Sequence, residues 1–224
     1  MAWFERKLEE KNTRIYILEQ DGERIGQARV DLEGQNGEIS YALCLRARGH
    51  GYSKWMLGSI EEELREQAVC RKLIAEVKRE NIASQKIFET LSYIAVPADY
   101  GYVFEKKIPL FTIIMCTYNS AQTLATAVES VRNQEFGGWE MQILDNGSKD
   151  ESVEKLQEYE KSDDRIKCIY RKDNIGWGKG ISECLKTSAG GYMMFLGADD
   201  YLATEHTLTE VADEVKKNHP QIIF

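Results

Sequence analysis

Residues 111–120 of the chain are Phe111-Thr112-Ile113-Ile114-Met115-Cys116-Thr117-Tyr118-Asn119-Ser120. This stretch begins as a nearly continuous apolar run and ends in polar residues. Apolar runs without alternation are typical of strands that are buried on both faces of a parallel sheet. In open α/β sheets, ligands bind at the carboxyl ends of such strands. The stretch therefore predicts a buried strand with a binding site at its end.

Strands and helices alternate along the rest of the chain. Three more apolar runs predict strands at residues 141–144, 166–170 and 192–196. The segments between them predict helices at residues 124–131, 151–161 and 181–188. Strict alternation predicts a doubly wound parallel sheet, so the class is α/β in this part of the chain.

Each predicted strand is followed by a polar cluster. A parallel sheet brings its carboxyl ends to one edge, so the four clusters are expected to converge on one site. Taken singly, each cluster is equally well explained as a helix cap, a turn or a solvated loop. The clusters are Cys116–Ser120, Asp145–Ser148, Asp173–Gly176 and Gly197–Asp200.

The chain upstream of residue 108 has a different pattern, which predicts an α+β domain. Two turns, at Asp21-Gly22 and Asn36-Gly37, separate three strands of an antiparallel meander. A helix begins near Tyr52, followed by a strand at 72–77, a helix at 82–91 and two short strands. We therefore predict two domains, residues 1–107 and residues 108–224.

Composition excludes several classes of function. The net charge is −8, of which residues 108–224 carry −7, so a nucleic-acid partner is not expected. The five cysteines have no metal-ligand spacing and read as reduced thiols of a cytoplasmic protein. No apolar run reaches the roughly 20 residues of a membrane span.

A glycine-rich turn, Arg48-Gly49-His50-Gly51-Tyr52-Ser53, lies between a predicted strand and helix. Together with the meander before it and Asn81–Glu89 after it, this order resembles the GNAT family of N-acetyltransferases over about residues 1–107. The resemblance implies a partial acetyltransferase domain whose cosubstrate is acetyl-CoA. It implies that Arg48, Gly49, Gly51 and Ser53 hold the pyrophosphate, although a short glycine turn is also a common tight connection.

The resemblance also suggests roles for single residues. Asn81 matches the asparagine that touches the pantetheine arm, and a helix cap is its alternative role. Glu38 is the candidate general base acting through a water, and a solvated strand-end carboxylate is the alternative. Phe88 departs from the family, because many members have a tyrosine there to protonate the leaving thiolate. An Ile25–Arg29 strand like that of amino-sugar enzymes suggests an amino-sugar acceptor.

The second part of the chain resembles family 2 glycosyltransferases of the GT-A fold, over about residues 109–224. The resemblance implies a nucleotide-sugar donor, with UDP-sugar favoured, and a glycan or amino-sugar acceptor. Nucleotide binding is implied for Thr117, Tyr118, Asp145 and Asn146. Asp199 and Asp200 are implied to hold Mg²⁺ or Mn²⁺ against the donor diphosphate, because oxygen ligands suit these cations.

Two departures from this family concern specificity and the metal. Asn146 replaces an aspartate that commonly contacts the uracil ring in this family, so the identity of the nucleotide base is left undetermined. Gly197 stands where the first aspartate of the metal motif often sits, leaving Asp199 as the main ligand.

Both resemblances cover only part of a family domain, so the sequence predicts an internal piece of a longer bifunctional transferase. The base for glycosyl transfer is then expected outside these residues. The alternative is a module that binds nucleotide-sugar or coenzyme A without turnover. A third possibility, a dinucleotide-dependent dehydrogenase, lacks the expected glycines in Cys116–Ser120.

Overall fold

A computed structural model describes residues 11–220. Two further segments lie outside the described residues: Trp3–Leu8, whose sequence resembles the end of a helical region, and Gln221–Phe224, whose apolar pattern predicts a strand. The chain divides into two compact units after Ile108.

None of the helices between residues 11 and 220 combines the length and the apolarity that crossing a bilayer requires.

The first unit contains a six-stranded mixed sheet. The strands are β1 (Thr13–Gln20), β2 (Glu23–Glu33), β3 (Asn36–Leu43), β4 (Lys72–Lys78), β5 (Ile94–Ala98) and β6 (Gly101–Lys107). Their order is β1-β2-β3-β4-β6-β5, and neighbours are antiparallel except for β3 and β4, which are parallel. A 3-10 turn (Leu45–Ala47) precedes helix α1 (Tyr52–Gln67), and α2 (Ile82–Thr90) follows β4. The predicted antiparallel meander is confirmed.

The predicted turn at Asn36-Gly37 is wrong. The turn lies at Gly34-Gln35, and Asn36 already pairs with Glu33 in the ladder of β2 and β3. Gly37 is needed for packing instead, since a Cβ there would lie 3.0 Å from methyl groups of Leu73 and Val30. The Asn-Gly pair has the composition of a turn, but tertiary packing decides its conformation.

The second unit contains a four-stranded parallel sheet. Its strands are β7 (Phe111–Thr117), β8 (Trp139–Asp145), β9 (Ile166–Tyr170) and β10 (Tyr192–Phe195), and their order is β10-β7-β8-β9. Its helices are α3 (Leu124–Arg132), α4 (Ser152–Ser162), α5 (Trp177–Thr187) and α6 (Thr207–Asn218). The predicted α/β architecture with a parallel sheet is confirmed.

Helices cover both faces of this sheet. On one face, Ile113 and Met115 of β7 pack with apolar residues of α3, α4 and α6. On the other face, Ile114 and Leu144 pack with Ile181 and Cys184 of α5. The strands are therefore buried on both sides, which explains the continuous apolar run of β7.

Helix α5 begins at Trp177, four residues earlier than predicted, because glycines in its first turns weaken the sequence signal for a helix. Gly180 is required by packing against the sheet. A Cβ at this position would lie 2.6 Å from Cys116 Sγ and 3.2 Å from Leu144 Cδ2. The glycine lets α5 approach the sheet closely at the carboxyl end of β7.

This close approach predicts the effect of Gly180→Ala. Overpacking between α5 and the sheet is expected to lower the free energy of unfolding of the second unit by about 1–3 kcal/mol. Amide hydrogen exchange of β7 and β8 in increasing urea measures it. The control is Gly178→Ala in the same helix, where no atom lies within 4 Å of the added Cβ. Equal effects of the two substitutions would contradict the packing role.

Candidate functional site

The carboxyl edge of the parallel sheet carries the predicted nucleotide residues. Thr117 ends β7, Asp145 ends β8, and the two residues are partners in the parallel ladder. Side chains alternate along a strand, so both point to the face that packs with α3, α4 and α6. The structure therefore brings these two side chains together.

Asp145 and Thr117 are buried, each only 1% exposed. The Asp145 Oδ2 atom accepts hydrogen bonds from the backbone N–H groups of Gly147 and Ser148, both at 3.1 Å. The Asp145 Oδ1 and Thr117 Oγ1 atoms are buried with no hydrogen-bond partner among residues 11–220. A buried polar atom without a partner costs about 1–3 kcal/mol, so these atoms are candidates for contact with a ligand.

The loop after β7 is fixed to the loop after β8. Asn119 has φ 51°, donates its N–H to Ser148 Oγ at 2.9 Å and accepts from the Lys149 N–H at 2.7 Å. Ser120 donates its N–H to the buried Ser152 Oγ at 3.0 Å. Tyr118 lies at the start of this loop and is 48% exposed. The hydrogen-bonded loop therefore presents an exposed aromatic side chain.

Asn146, the remaining predicted nucleotide residue, is 3% exposed. Its backbone N–H donates to the Thr117 carbonyl at 2.9 Å, which joins β8 to the end of β7. Its side-chain amide contacts the third polar cluster, after β9, through Asn174 and Ile175. Three of the four clusters are therefore connected by hydrogen bonds.

The fourth cluster follows β10, which pairs with β7 on the other side. A turn from the Gly197 carbonyl to the Asp200 N–H, at 3.2 Å, places Asp199 and Asp200 after the strand with exposed side chains. A Cβ on Gly197 would lie 2.6 Å from Asp200 Oδ2 and 2.9 Å from Asp199 Oδ1. Glycine at this position allows both carboxylates to lie close to the backbone.

Cys116 lies beside this edge and is not a nucleophile candidate. Burial, and to a smaller extent the nearby Asp145 carboxylate, raises the pKa of the Cys116 thiol. The thiolate is therefore disfavoured at neutral pH.

In the first unit, β3 and β4 pair only over their first residues. The ladder joins Asn36–Glu38 to Lys72–Ile74, and no pairing of the two strands continues beyond it in the described chain. Both strands extend further, to Leu43 and to Lys78. An opening between two parallel strands follows, and the sequence pattern gave no signal for it. Glu38, the candidate base, is the last residue of β3 that pairs with β4, and it is exposed.

The glycine turn connects β3 to α1. Gly49 and Gly51 have φ 80° and 81°, and nothing lies within 4 Å of a Cβ built on either one. Gly51 is the N-cap of α1 and offers no side-chain cap. Arg48 is exposed, with Nε 3.4 Å from the Leu43 carbonyl, and Ser53 is 9% exposed. Backbone N–H groups at an open helix N-terminus are the general feature that binds phosphate oxygens.

The two remaining positions of the acetyltransferase pattern lie on α2. Asn81 is the N-cap of this helix and its Oδ1 accepts the Ser84 N–H at 3.2 Å, so the cap alternative is realised, and the residue is exposed. Phe88 is 2% exposed and stacks on Phe104 with ring centroids 5.6 Å apart. It is a core residue.

The sequence analysis named the clusters that contain Ser148 and Asn174, but it did not predict the hydrogen bonds that connect the loops, and it did not single out Ser152. Ser148, Ser152 and Asn174 each bond a residue about 30 positions away in the chain. No spacing in the sequence identifies such residues, because the order of the strands in the sheet determines which loops are neighbours.

Sequence models of two protein families match the chain. The Glycosyl transferase family 2 model matches residues 112–224, and the Acetyltransferase (GNAT) family model matches residues 1–93. The chain belongs to glycosyl transferase family 2 and carries a GNAT acetyltransferase domain in its first part. Both family resemblances seen in the sequence are confirmed.

Relatives and solved structures resemble one part of the chain each. TuaG of Bacillus subtilis, assigned to teichuronic acid biosynthesis, is 37% identical over 92 residues, which are 41% of this chain and 36% of TuaG. EpsE of the same organism is 30% identical over 116 residues, 51% of this chain and 42% of EpsE. The crystal structure of S. aureus TarS 1-349 is 27% identical, covers 49% of this chain and 33% of TarS, and has a TM-score of 0.46. The chain thus spans less than half the length of these relatives.

The loop connection generates a prediction about Asn119. Asn119→Ala removes the acceptor for the Lys149 N–H and puts a Cβ-bearing aliphatic residue at φ 51°. Asn119→Gly removes the same acceptor without the backbone strain. We expect faster hydrogen exchange at the Lys149 amide in both variants, and about 1 kcal/mol more destabilisation for alanine than for glycine.

The control for this pair is Asn133→Ala at an exposed helix end with φ −82°. Exchange at the Lys149 amide that stays at the wild-type rate in both Asn119 variants would contradict the connection.

Proposed function

We propose that residues 108–224 bind a nucleoside diphosphate sugar together with a divalent cation, for transfer of the sugar to a glycan acceptor by the whole protein. The observation that carries the proposal is the pair of buried, unpartnered atoms, Asp145 Oδ1 and Thr117 Oγ1, at adjacent strand ends. They lie at the edge where open α/β sheets bind ligands.

The chemistry of the edge suits a nucleoside. The exposed side chain of Tyr118 offers an aromatic face for stacking. Any nucleotide base can stack on such a ring, because every base has an aromatic face of its own. Asp145 Oδ1 is an acceptor for an N–H or O–H group, and the Thr117 hydroxyl both donates and accepts. A nucleoside bound here would satisfy both buried atoms.

Asp199 and Asp200 fit a cation of the Mg²⁺ or Mn²⁺ type. Both are exposed carboxylates, and neither has an ion-pair partner within 4 Å among the residues the structure describes. Two carboxylates leave coordination positions for phosphate oxygens of the donor. The bound cation would neutralise the diphosphate as it leaves with the nucleoside.

Cation dependence is the first test of the donor site. We expect UDP to bind the full chain in the presence of Mn²⁺ and to lose at least about tenfold in affinity in EDTA. Asp199→Asn should give a similar loss, because it removes a charged ligand. Isothermal titration calorimetry measures both.

The matched control is Asp213→Asn, which changes an exposed aspartate of α6 that pairs with Lys216. Affinity that is equal in wild type, Asp199→Asn and EDTA would contradict the cation assignment.

For the first unit we propose acetyl-CoA binding and acetyl transfer to an amine, with an amino sugar as the acceptor class. The support is the open turn at Gly49 and Gly51 beside the uncapped start of α1, and the opening between β3 and β4. Unpaired strand backbone in that opening can bond the amide groups of an extended pantetheine arm. Asn81 is exposed at the start of α2, and its side-chain amide can donate hydrogen bonds to the same arm.

Glu38 is proposed as the base that takes the proton from the acceptor amine through a water. It lies where the opening between β3 and β4 begins, and its carboxylate is exposed. A base is required because a protonated amine has no lone pair with which to attack the acetyl carbonyl.

Backbone conformation at the turn provides a second test. Gly51→Ala and Gly22→Ala each force a Cβ into a φ near 80° with open space around it. Both are expected to destabilise the unit by about 1–2 kcal/mol. Only Gly51→Ala is expected to reduce acetyl-CoA affinity, by about tenfold, because its Cβ occupies the space of the pyrophosphate. Equal affinity of the two variants in calorimetry would contradict the site.

A binding role without turnover is the second candidate for the first unit. Phe88 favours it, because the position at which many members of the family carry an acidic tyrosine is here an apolar ring in the core. Transfer of acetyl from labelled acetyl-CoA to amino sugars by the purified chain distinguishes the two, since a binding module leaves the label on the donor.

A further inference from the structure

The side chain of Asn146 is held by the loop after β9 through two hydrogen bonds. Its Nδ2 donates to Asn174 Oδ1 at 2.9 Å, and its Oδ1 accepts the Ile175 N–H at 2.7 Å. Asn174 Oδ1 also accepts the Gly176 N–H at 2.9 Å. Asn174 itself is exposed, whereas Asn146 is buried.

These bonds fix the orientation of both amides. A backbone N–H can only donate, so the Ile175 N–H requires the oxygen of Asn146 on its side, and the Gly176 N–H requires the oxygen of Asn174. The remaining contact then joins Nδ2 of Asn146 to Oδ1 of Asn174, a donor to an acceptor. Flipping either amide would place two donors against each other.

Asparagine at position 146 is therefore matched to position 174. An aspartate at 146 would offer only oxygens, and one of them would face Asn174 Oδ1. The pair also lies next to the atoms of the donor site, since Asn146 follows Asp145 directly and its N–H bonds the Thr117 carbonyl. The Asn146 backbone thus joins the end of β8 to the end of β7.

We propose that Asn174 is a positioning residue for nucleotide binding, which holds the Asn146 amide in one orientation and thereby sets the base preference of the site. The proposal rests on the proposed donor site. Asn146 keeps one oxygen lone pair and one amide N–H, and their directions decide whether the ring edge of the base meets an acceptor or a donor there. Asn174 controls these directions without touching the base.

The test measures the affinity of the full chain for UDP, CDP, GDP and ADP in Mn²⁺, by calorimetry, in wild type and four variants. Asn174→Ala removes the acceptor. Asn174→Asp keeps it, because a carboxylate accepts both the Asn146 and the Gly176 N–H groups. Asn146→Asp puts acceptor against acceptor. The double variant combines Asn146→Asp with Asn174→Ser, which restores a donor. The hydroxyl introduced at position 174 accepts from the Gly176 N–H and donates to the carboxylate introduced at position 146.

We expect Asn174→Ala and Asn146→Asp each to lower the affinity for the preferred nucleotide about tenfold. The ratio of this affinity to the affinities for the other three nucleotides should also fall. Asn174→Asp is expected to stay within about threefold of wild type, and the double variant to recover most of the loss of Asn146→Asp. Recovery and base preference are readouts that a general loss of stability would not produce, and thermal unfolding of each variant excludes misfolding.

The possible results distinguish the role of Asn174 from the proposed donor site on which it rests. Wild type that binds none of the four nucleotides would overturn the donor site and this inference together. Wild-type binding with unchanged affinity and base preference in Asn174→Ala would overturn only the role of Asn174. Loss in Asn146→Asp without recovery in the double variant would also overturn it.

Discussion

The in-register pairing of Thr117 with Asp145 is the constraint on which the site depends. It places two polar side chains on the same face at the ends of two buried strands, where neither reaches solvent. The Asp145 Oδ1 and Thr117 Oγ1 atoms have no hydrogen-bond partner within residues 11–220, which costs about 1–3 kcal/mol for each atom. The apolar packing of the sheet on both faces has to offset that cost. A shift of one residue would turn one of the side chains to the opposite face and separate the pair.

The two units differ in the groups that they present at the proposed ligand sites. In the first, two glycines with positive φ leave an open turn before a helix with no side-chain cap, so the turn presents backbone groups. In the second, side chains of one loop cap the backbone of the next, as Ser152 does for Ser120. The open turn depends on the absence of side chains, while the connected loops depend on particular ones.

The sequence predicted those features that depend on local pattern. The apolar run of β7 indicated its burial on two faces, and alternation of elements indicated the parallel sheet and the convergence of Asp145 and Asp199 on one edge. Prediction from the sequence failed where tertiary packing overrides the local conformational preference. Gly37 has the composition of a turn but lies in a strand under Leu73, and Gly180 weakened the signal of a helix that requires it. The opening between β3 and β4 and the contact of Asn146 with Asn174 depend on long-range register, which no short window contains.

The proposed donor site holds a nucleotide and a cation together at one edge of the parallel sheet. Hydrogen-exchange mass spectrometry of the full chain with UDP and Mn²⁺ is the sharpest test of this site, because it reports all backbone segments at once. We expect slower exchange in residues 117–121, 145–149 and 197–201 together when UDP and Mn²⁺ are both present, and clearly weaker protection at the same UDP concentration without Mn²⁺. Protection confined to other segments, or equal protection of these three segments with and without Mn²⁺, would contradict the proposed site.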